Sequence, residues 1–191
     1  IVFIDELVLY TVCAQCKAWE AQGFQPLRVA VNLSAHTFQQ PNLVETITSV
    51  LQKTGLDPHF LELEITESIA MENIETTIHK LNKLSELGIQ IAIDDFGTGF
   101  SSLYYLKKFP IHKLKISQHF VSAIMTDQND QMIVSSIIAL GQSLKLKVVA
   151  EGVETENQLI FLKKRQCDEM QGYLFCKPLP ADKFQENGRT G

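Results

Sequence analysis

The sequence predicts an α/β fold in which parallel strands, each followed by a helix, curve into a modified TIM-type barrel. Stretches with strand periodicity alternate with stretches of helical periodicity at intervals of roughly 20 to 36 residues, about the size of a βα unit. Such alternation is typical of a parallel sheet covered by helices. Six predicted strands end in or near a polar residue, and barrel closure brings all such ends to one face. An open doubly wound sheet instead concentrates its ligand contacts at one switch point.

Three of these strands lie in the first half of the chain. Each has apolar residues at alternate positions, which sets one face against a core: residues 27–32, 61–66 and 89–94. Helices are predicted between them from apolar residues at helical spacing and from a following glycine, over about 5–21, 43–54 and 74–87. Asn42 and Glu45 have the spacing of a helix-start signature. In the strictly alternating second strand, Glu62 and Glu64 share one face.

The second half of the chain continues the alternation. A short helix over about 103–106 is ended by Pro110, and a longer helix is predicted from apolar residues between 133 and 144. Thr155 and Gln158 form a capping box that starts the next helix. The remaining strands are predicted at residues 113–117, 147–151 and 169–174. A complete barrel has eight strands, so we expect its first strands to be missing from this segment.

Length and composition indicate one globular domain. We expect residues 1–184 to form the domain and residues 185–191 a disordered tail. The net charge of −5 argues against a DNA or RNA duplex as partner. No apolar run approaches the roughly 20 residues that span a bilayer, and no signal peptide is evident. We therefore expect a cytoplasmic protein, or the cytoplasmic part of a larger membrane-anchored one.

The four cysteines allow two interpretations. Cys13 and Cys16 have CxxC spacing, which raises the possibility of a metal or redox site, with Cys167 and Cys176 as a distant second pair. The second spacing does not match a zinc knuckle, and no glycine-rich or proline turn surrounds the first pair. Buried or half-buried free thiols in a reducing compartment are the favoured interpretation.

The polar residues at the strand ends indicate a metal site. They comprise three acids, two amide-bearing residues and one lysine on different strands, at Asn32, Glu64, Asp94, Lys115, Glu151 and Gln171. Adjacent Asp94 and Asp95 repel each other unless a cation or a proton neutralises them. Carboxylate and amide oxygens without Cys or His suit Mg²⁺ or Mn²⁺. Two such ions could activate water and neutralise a phosphodiester, and Lys115 could add positive charge there.

A purely structural interpretation is the alternative. Asp94 and Asp95 could form a solvated turn before a helix, and strand-end acids could be capping groups or internal salt bridges. We favour that interpretation for Glu62, Glu86 and Glu156. For the six strand-end residues taken together we favour the metal site.

Several motifs, in order along the chain, carry a family resemblance. They are Asn32-Leu33-Ser34, Glu62-Leu63-Glu64-Ile65-Thr66-Glu67, Asp94-Asp95-Phe96-Gly97-Thr98-Gly99-Phe100-Ser101-Ser102-Leu103, Lys113-Leu114-Lys115-Ile116, Ala150-Glu151-Gly152-Val153-Glu154-Thr155 and Gln171-Gly172-Tyr173. With these motifs the chain resembles EAL domains, which are bacterial cyclic di-GMP phosphodiesterases. The resemblance extends from the first helix to Pro180. It implies a modified TIM barrel that hydrolyses cyclic di-GMP to linear pGpG with two Mg²⁺ or Mn²⁺ ions.

The resemblance also implies roles for individual residues. Metal ligands, or residues close to them, would be Asn32, Glu64, Asp94, Asp95 and Glu151. Lys115 would support the water or the phosphate, so that Lys115, Glu151 and Asp95 form the catalytic set. Gln171, Glu154 and Ser117 would lie at the same mouth, in contact with substrate or behind the ligands. Glu67 would brace the loop that shapes the metal site and the dimer contact, made of Phe96, Gly97, Thr98, Gly99, Phe100 and Ser101.

The chain departs from the family pattern in two places that matter. The Glu-Ala-Leu motif that names the family is absent from this segment, and with it a glutamate ligand, a nearby arginine and the first strands. The family has Ile-Asp-Arg after the strand lysine, whereas this chain has Ile116-Ser117-Gln118. An acid is thereby lost close to the metals, and so is a cation that could hold substrate. Phe100 in place of the usual tyrosine is a milder change.

Two functions follow from these observations. The first is a metal-dependent cyclic di-GMP phosphodiesterase in the full-length protein, with this segment alone inactive. The second is a degenerate EAL domain that binds cyclic di-GMP or a protein partner and regulates without hydrolysis, as Ser117 and Gln118 suggest. In either case the resemblance implies a homodimer and attached upstream sensory or GGDEF domains.

Overall fold

Six parallel strands in sequential order form one sheet in the computed structural model, which describes residues 1–99 and 102–188. The strands are β1 (Val29–Asn32), β2 (Leu61–Thr66), β3 (Gln90–Phe96), β4 (Lys113–Ile116), β5 (Lys147–Ala150) and β6 (Glu169–Met170). Each strand pairs with the next one along the chain, so every connection crosses over one face of the sheet. The predicted α/β fold is confirmed as part of a TIM-type barrel.

Helices connect the strands. They are α1 (Val2–Ala21), α2 (Ala35–Gln39), α3 (Leu43–Thr54), α4 (Glu67–Glu72), α5 (Ile74–Glu86), α6 (Leu103–Leu106), α7 (Gln118–Ala123), α8 (Gln128–Leu144), α9 (Glu156–Lys164) and α10 (Ala181–Gly188), with a 3₁₀ turn at Pro58–Phe60. The predicted boundary at residue 184 falls inside α10, and residues 189–191 lie outside the described part of the chain.

Most of the predicted helix caps are present in the structure. Thr155 and Gln158 form the predicted capping box at α9, and Gly55 ends α3 in the left-handed conformation. Asn42 precedes α3 as predicted, but its side chain accepts no capping hydrogen bond. The short helices α2, α4 and α7 were not predicted. Each begins directly after a strand at a serine or threonine whose hydroxyl accepts a backbone N–H: Ser34, Thr66 and Ser117.

The hydrophobic core lies between the sheet and the helices. The apolar residues of the central strands are buried on the helix-facing side, among them Leu61, Leu63, Ile65, Ile91, Ile93, Leu114 and Ile116. Alternation along β2 turns Glu62 and Glu64 to the opposite, concave side of the sheet. Side chains that carry charge are thus collected on the inner face of the curved sheet.

Three of the four cysteines are buried free thiols, as the sequence predicted. Cys13, Cys16 and Cys167 are buried with free thiols, whereas Cys176 is exposed, contrary to prediction. Burial raises the pKa of the Cys13 thiol to about 11, which keeps it protonated and unreactive at neutral pH.

Among the described residues, no helix has the length and apolarity that crossing a membrane requires.

Candidate active site

Strand register places the predicted site residues side by side at the carboxyl ends of the strands. Asn32 at the exposed end of β1 pairs in register with Glu64, and Thr66 pairs with Asp94 on β3. Glu151 directly follows β5, and its N–H donates to the carbonyl of Ile116 at the end of β4. The ends of adjacent strands therefore bring residues that are far apart in sequence to one mouth.

Lys115 is the centre of this mouth. Its side chain is buried, and its Nζ lies 2.6 Å from Glu64 Oε2, 2.7 Å from Glu151 Oε1 and 3.4 Å from Asp94 Oδ1. Burial alone would lower the pKa of Lys115, but its hydrogen bonds to Glu151 and Glu64, and their charges, raise it above the ordinary value. Lys115 is therefore a fixed positive charge, not a proton donor.

The acids around Lys115 outnumber the cation that neutralises them. Burial raises the pKa of Glu64 and of Glu151, and Lys115 offsets this only in part, because each carboxylate is also repelled by Asp94. One positive charge shared by three carboxylates leaves an excess of negative charge. A further cation at this mouth would relieve that repulsion.

Three acids are close enough to share such a cation. One carboxylate oxygen from each of Asp94, Asp95 and Glu151 lies within 4.8 Å of the others. All are hard oxygen donors, as Mg²⁺ and Mn²⁺ prefer, and Asp94 and Glu151 are only partly exposed. Glu64 contacts Lys115 and is not one of the three, although the sequence predicted it as a ligand. The residues present fit a divalent cation.

Asp95 has a special backbone conformation at the end of β3. Its φ of +50° lies in the left-handed region, which a residue with a side chain rarely adopts. Local hydrogen bonds hold it there: its N–H donates to Asp94 Oδ1 (2.9 Å), and its carbonyl accepts from Thr98 Oγ1 (2.8 Å). Ser117 Oγ donates to Asp95 Oδ1 (2.7 Å). The turn therefore re-aims the Asp95 carboxylate toward the mouth.

Glu67 holds the loop that follows β3. It is the buried first residue of α4, and its Oε2 accepts hydrogen bonds from the N–H groups of Gly97 (2.9 Å) and Gly99 (3.3 Å). Gly97 has φ +97°, a conformation that favours glycine. The side chain of Phe96 is buried at the end of β3. Two further predicted loop residues lie outside the described part of the chain: Phe100 and Ser101.

Two more predicted residues line a small cavity beside Glu151. Gln171 directly follows β6, and Glu154 lies in the loop after β5; both border this space of about 190 Å³. Gln118 and Tyr173 complete its sides. The cavity is next to the acids and has room for part of a ligand.

A second layer of charge lies below the mouth on the same concave face. Lys113 Nζ lies 3.0 Å from both Glu62 Oε2 and Glu169 Oε2, and Glu62 is buried. The internal salt bridge favoured for Glu62 is thereby confirmed. Strand alternation in the sequence puts Lys113 on the same strand face as Lys115. Its salt bridges with Glu62 and Glu169 depend on the register between strands and could not be predicted from the sequence.

Comparisons with known proteins agree with this geometry. The family model described as EAL domain matches residues 2–178. The chain is 45% identical over 183 residues to the cyclic di-GMP phosphodiesterase NbdA of Pseudomonas aeruginosa, covering 96% of this chain and 23% of that protein. It is also 45% identical over 184 residues to the bifunctional diguanylate cyclase/cyclic di-GMP phosphodiesterase MucR of the same organism, covering 96% and 27%. The chain thus spans about a quarter of these curated relatives.

A solved structure extends the agreement to three dimensions. The PaMucR phosphodiesterase in complex with c-di-GMP matches with a TM-score of 0.94 at 45% identity, over 96% of this chain and 74% of that one. The chain belongs to the EAL domain family.

Proposed function

We propose that the full-length protein is a cyclic di-GMP phosphodiesterase that produces linear pGpG. The observation that carries the proposal is the cluster of Asp94, Asp95 and Glu151 at the carboxyl ends of the strands, in which Asp94 and Glu151 contact the buried Lys115. Relatives of this chain at 45% identity include a named cyclic di-GMP phosphodiesterase, and a solved relative holds c-di-GMP. A small nucleotide with two phosphodiesters would suit a mouth whose acids could hold divalent cations.

The acidic cluster would hold two Mg²⁺ or Mn²⁺ ions. Asp94, Asp95 and Glu151 would be ligands, and Glu64 and Asn32 would complete the oxygen-donor set from β2 and β1. Bound there, the ions would supply charge neutralisation at the phosphodiester and activation of a water molecule.

The chain's own residues would bind and orient the nucleotide. Lys115 is rigid and permanently charged, so it would stabilise negative charge that develops on the phosphate. Gln171 and Glu154 border the adjoining cavity, where they would contact the substrate. Glu67 would hold the loop after β3 so that the position of Asp95 is maintained.

A second function is supported by one specific feature. At position 117 a serine lies beside Asp95, and at position 118 a glutamine lines the cavity. The full-length protein would then bind cyclic di-GMP without cleaving it and act through attached domains. We expect the segment of residues 1–191 to be inactive by itself in either case, because its described sheet is open between β1 and β6.

The test is cyclic di-GMP turnover by the full-length protein with Mg²⁺ or Mn²⁺, beside Glu151→Ala. We expect linear pGpG from the wild type and a rate at least about 100-fold lower from the variant, because a ligand and a partner of Lys115 are both lost. Glu156→Ala is the matched control, since this exposed glutamate lies on the outer helix α9. Saturable nucleotide binding without product would favour the regulatory function, and neither binding nor cleavage would refute both.

A further inference from the structure

We propose that Ser117 is a positioning residue that fixes the orientation of the Asp95 carboxylate at the metal site. The inference rests on the proposed metal centre and adds a role that this chain's own serine performs. Ser117 Oγ donates a 2.7 Å hydrogen bond to Asp95 Oδ1, and the serine is buried, with 6% of its surface exposed. A hydrogen bond to a charged group is stronger than one between neutral groups, and the burial of Ser117 shields its side of this bond from water.

The hydrogen bond acts on a carboxylate whose backbone already limits its direction. The left-handed φ of Asp95 is maintained by hydrogen bonds from its N–H and to its carbonyl. The side chain still rotates about its own bonds, so the backbone alone does not fix the plane of the carboxylate. With Oδ1 engaged by Ser117, the other oxygen is left for a cation.

Ser117 can do this because its own position is fixed on three sides. It directly follows β4, two residues after Lys115, and it is the N-cap of α7, where its hydroxyl accepts from the N–H of His119 (3.4 Å). The next side chain, Gln118, packs against Gly152 so closely that a Cβ there would lie 2.2 Å from Gln118 Cγ. The start of α7 thus touches the residue that follows Glu151 and holds Asp95 at the same time.

The hydroxyl is suited to this role because it carries no charge. Asp94, Asp95 and Glu151 already bring three acids together, and another carboxylate next to Asp95 would add repulsion whenever no cation is bound. A neutral donor contacts Asp95 without adding charge to the cluster. Hydrogen-bond partners behind a ligand typically change metal affinity by about 10- to 100-fold when they are removed.

The experiment measures Mn²⁺ binding to the full-length protein by the electron paramagnetic resonance signal of free Mn²⁺, without nucleotide. Ser117→Ala and Ser117→Gly both remove the donor, and glycine preserves most of the helix-capping preference. We expect both variants to bind Mn²⁺ at least about 10-fold more weakly than the wild type, with Ser117→Thr close to the wild type because it retains the hydroxyl. Asp127→Ala is the control, since it removes the N-cap of α8 far from the acids.

The outcomes separate this role from the metal centre itself. Wild-type affinity in Ser117→Ala and Ser117→Gly overturns the role of Ser117 while the metal centre stands. Equal weakening in Asp127→Ala also overturns it, since loss of a helix cap would then explain the effect. A wild type that binds no Mn²⁺ refutes the proposed metal centre, and the role of Ser117 with it.

Discussion

Lys115 Nζ lies 2.6 Å from Glu64 Oε2 in a position where both side chains are almost completely buried. The same nitrogen reaches Glu151, so one cation joins β2, β4 and the loop after β5. An ion pair of this kind need not stabilise the fold relative to apolar residues, but removing one partner leaves charge buried without compensation. The pairing is therefore the first feature to test by substitution.

Lys115→Met is expected to destabilise the protein by about 3–5 kcal/mol, because Glu64 and Glu151 lose their only nearby ammonium among the described residues. Urea denaturation followed by circular dichroism measures the change. Lys147→Met is the control, since Lys147 pairs with Asp168 at the surface and its removal should change stability little. A similar loss in both variants would show that burial of the pair is not the cause.

His112 predicts a dependence of stability on pH. Its ring Nδ1 accepts the N–H of Ile91 (3.1 Å), which requires that nitrogen to be unprotonated. Burial and the nearby Arg28 lower the pKa of His112 below its ordinary value. The unfolded chain, with a histidine pKa of about 6.5, therefore binds a proton before the native state does. The stabilising contribution of His112 is complete above pH about 6.5 and is lost as the pH falls toward its lowered pKa.

The measurement is the free energy of unfolding at pH 7.5 and pH 5 for the wild type and His112→Asn. We expect a smaller acid-induced loss in the variant, whose amide oxygen can accept a hydrogen bond but does not titrate. His36→Asn is the control because His36 is exposed. If His112→Asn loses as much stability at pH 5 as the wild type does, the histidine is not the cause.

Glu67 offers a prediction about the loop that follows β3. Glu67→Ala removes the carboxylate on α4 that accepts hydrogen bonds from the N–H groups of Gly97 and Gly99. We expect faster hydrogen–deuterium exchange at these two amides, and a free-energy cost of about 1.5–3 kcal/mol for each lost bond to a charged acceptor. Glu72→Ala, on the exposed end of the same helix, should leave their exchange unchanged.

Local patterns in the sequence predicted most of the fold. All six strands were predicted in order because alternation and turn residues are local signals, and β2 has the predicted bounds, Leu61–Thr66. The last strand was predicted too long: residues 169–174 were expected, whereas β6 is only Glu169–Met170. The helices α2, α4 and α7 have only five or six residues, too few for a helical period to emerge. Their only local signal is the serine or threonine that precedes each.

The residues of the candidate site could be predicted from the sequence, but the contacts between their side chains could not. Parallel strand ends converge, so the polar residue at each end could be recognised one strand at a time. The grouping of Lys115 with Glu64 and Glu151 depends on register between strands separated by many residues. The contact between Ser117 and Asp95 also depends on a left-handed backbone at an aspartate, which this residue type adopts only occasionally.

Gly152 provides the last prediction, because it combines a close contact with a left-handed backbone next to Glu151. A Cβ at this position would lie 2.2 Å from Gln118 Cγ, and its φ is +69°. Gly152→Ala should therefore cost about 1–2 kcal/mol of backbone strain, plus about 1–3 kcal/mol from overpacking against Gln118. Gly23→Ala isolates the first contribution, since Gly23 has φ +87° and nothing within 4 Å of its added Cβ.

The two contributions can be separated by removing the contact from the other side. In Gly152→Ala with Gln118→Ala, we expect the closest contacts, those with Cγ and Cδ of Gln118, to be removed and the loss of stability to fall, as measured by denaturation. The loss should stay above that of Gly23→Ala, because the Cβ of residue 118 lies 2.9 Å from the added Cβ. If Gly152→Ala pushes the start of α7 away instead, Ser117 moves with it. Mn²⁺ binding should then weaken in the single variant and recover in the double one. If the single and the double variant are equally stable, Gln118 does not limit the space at Gly152.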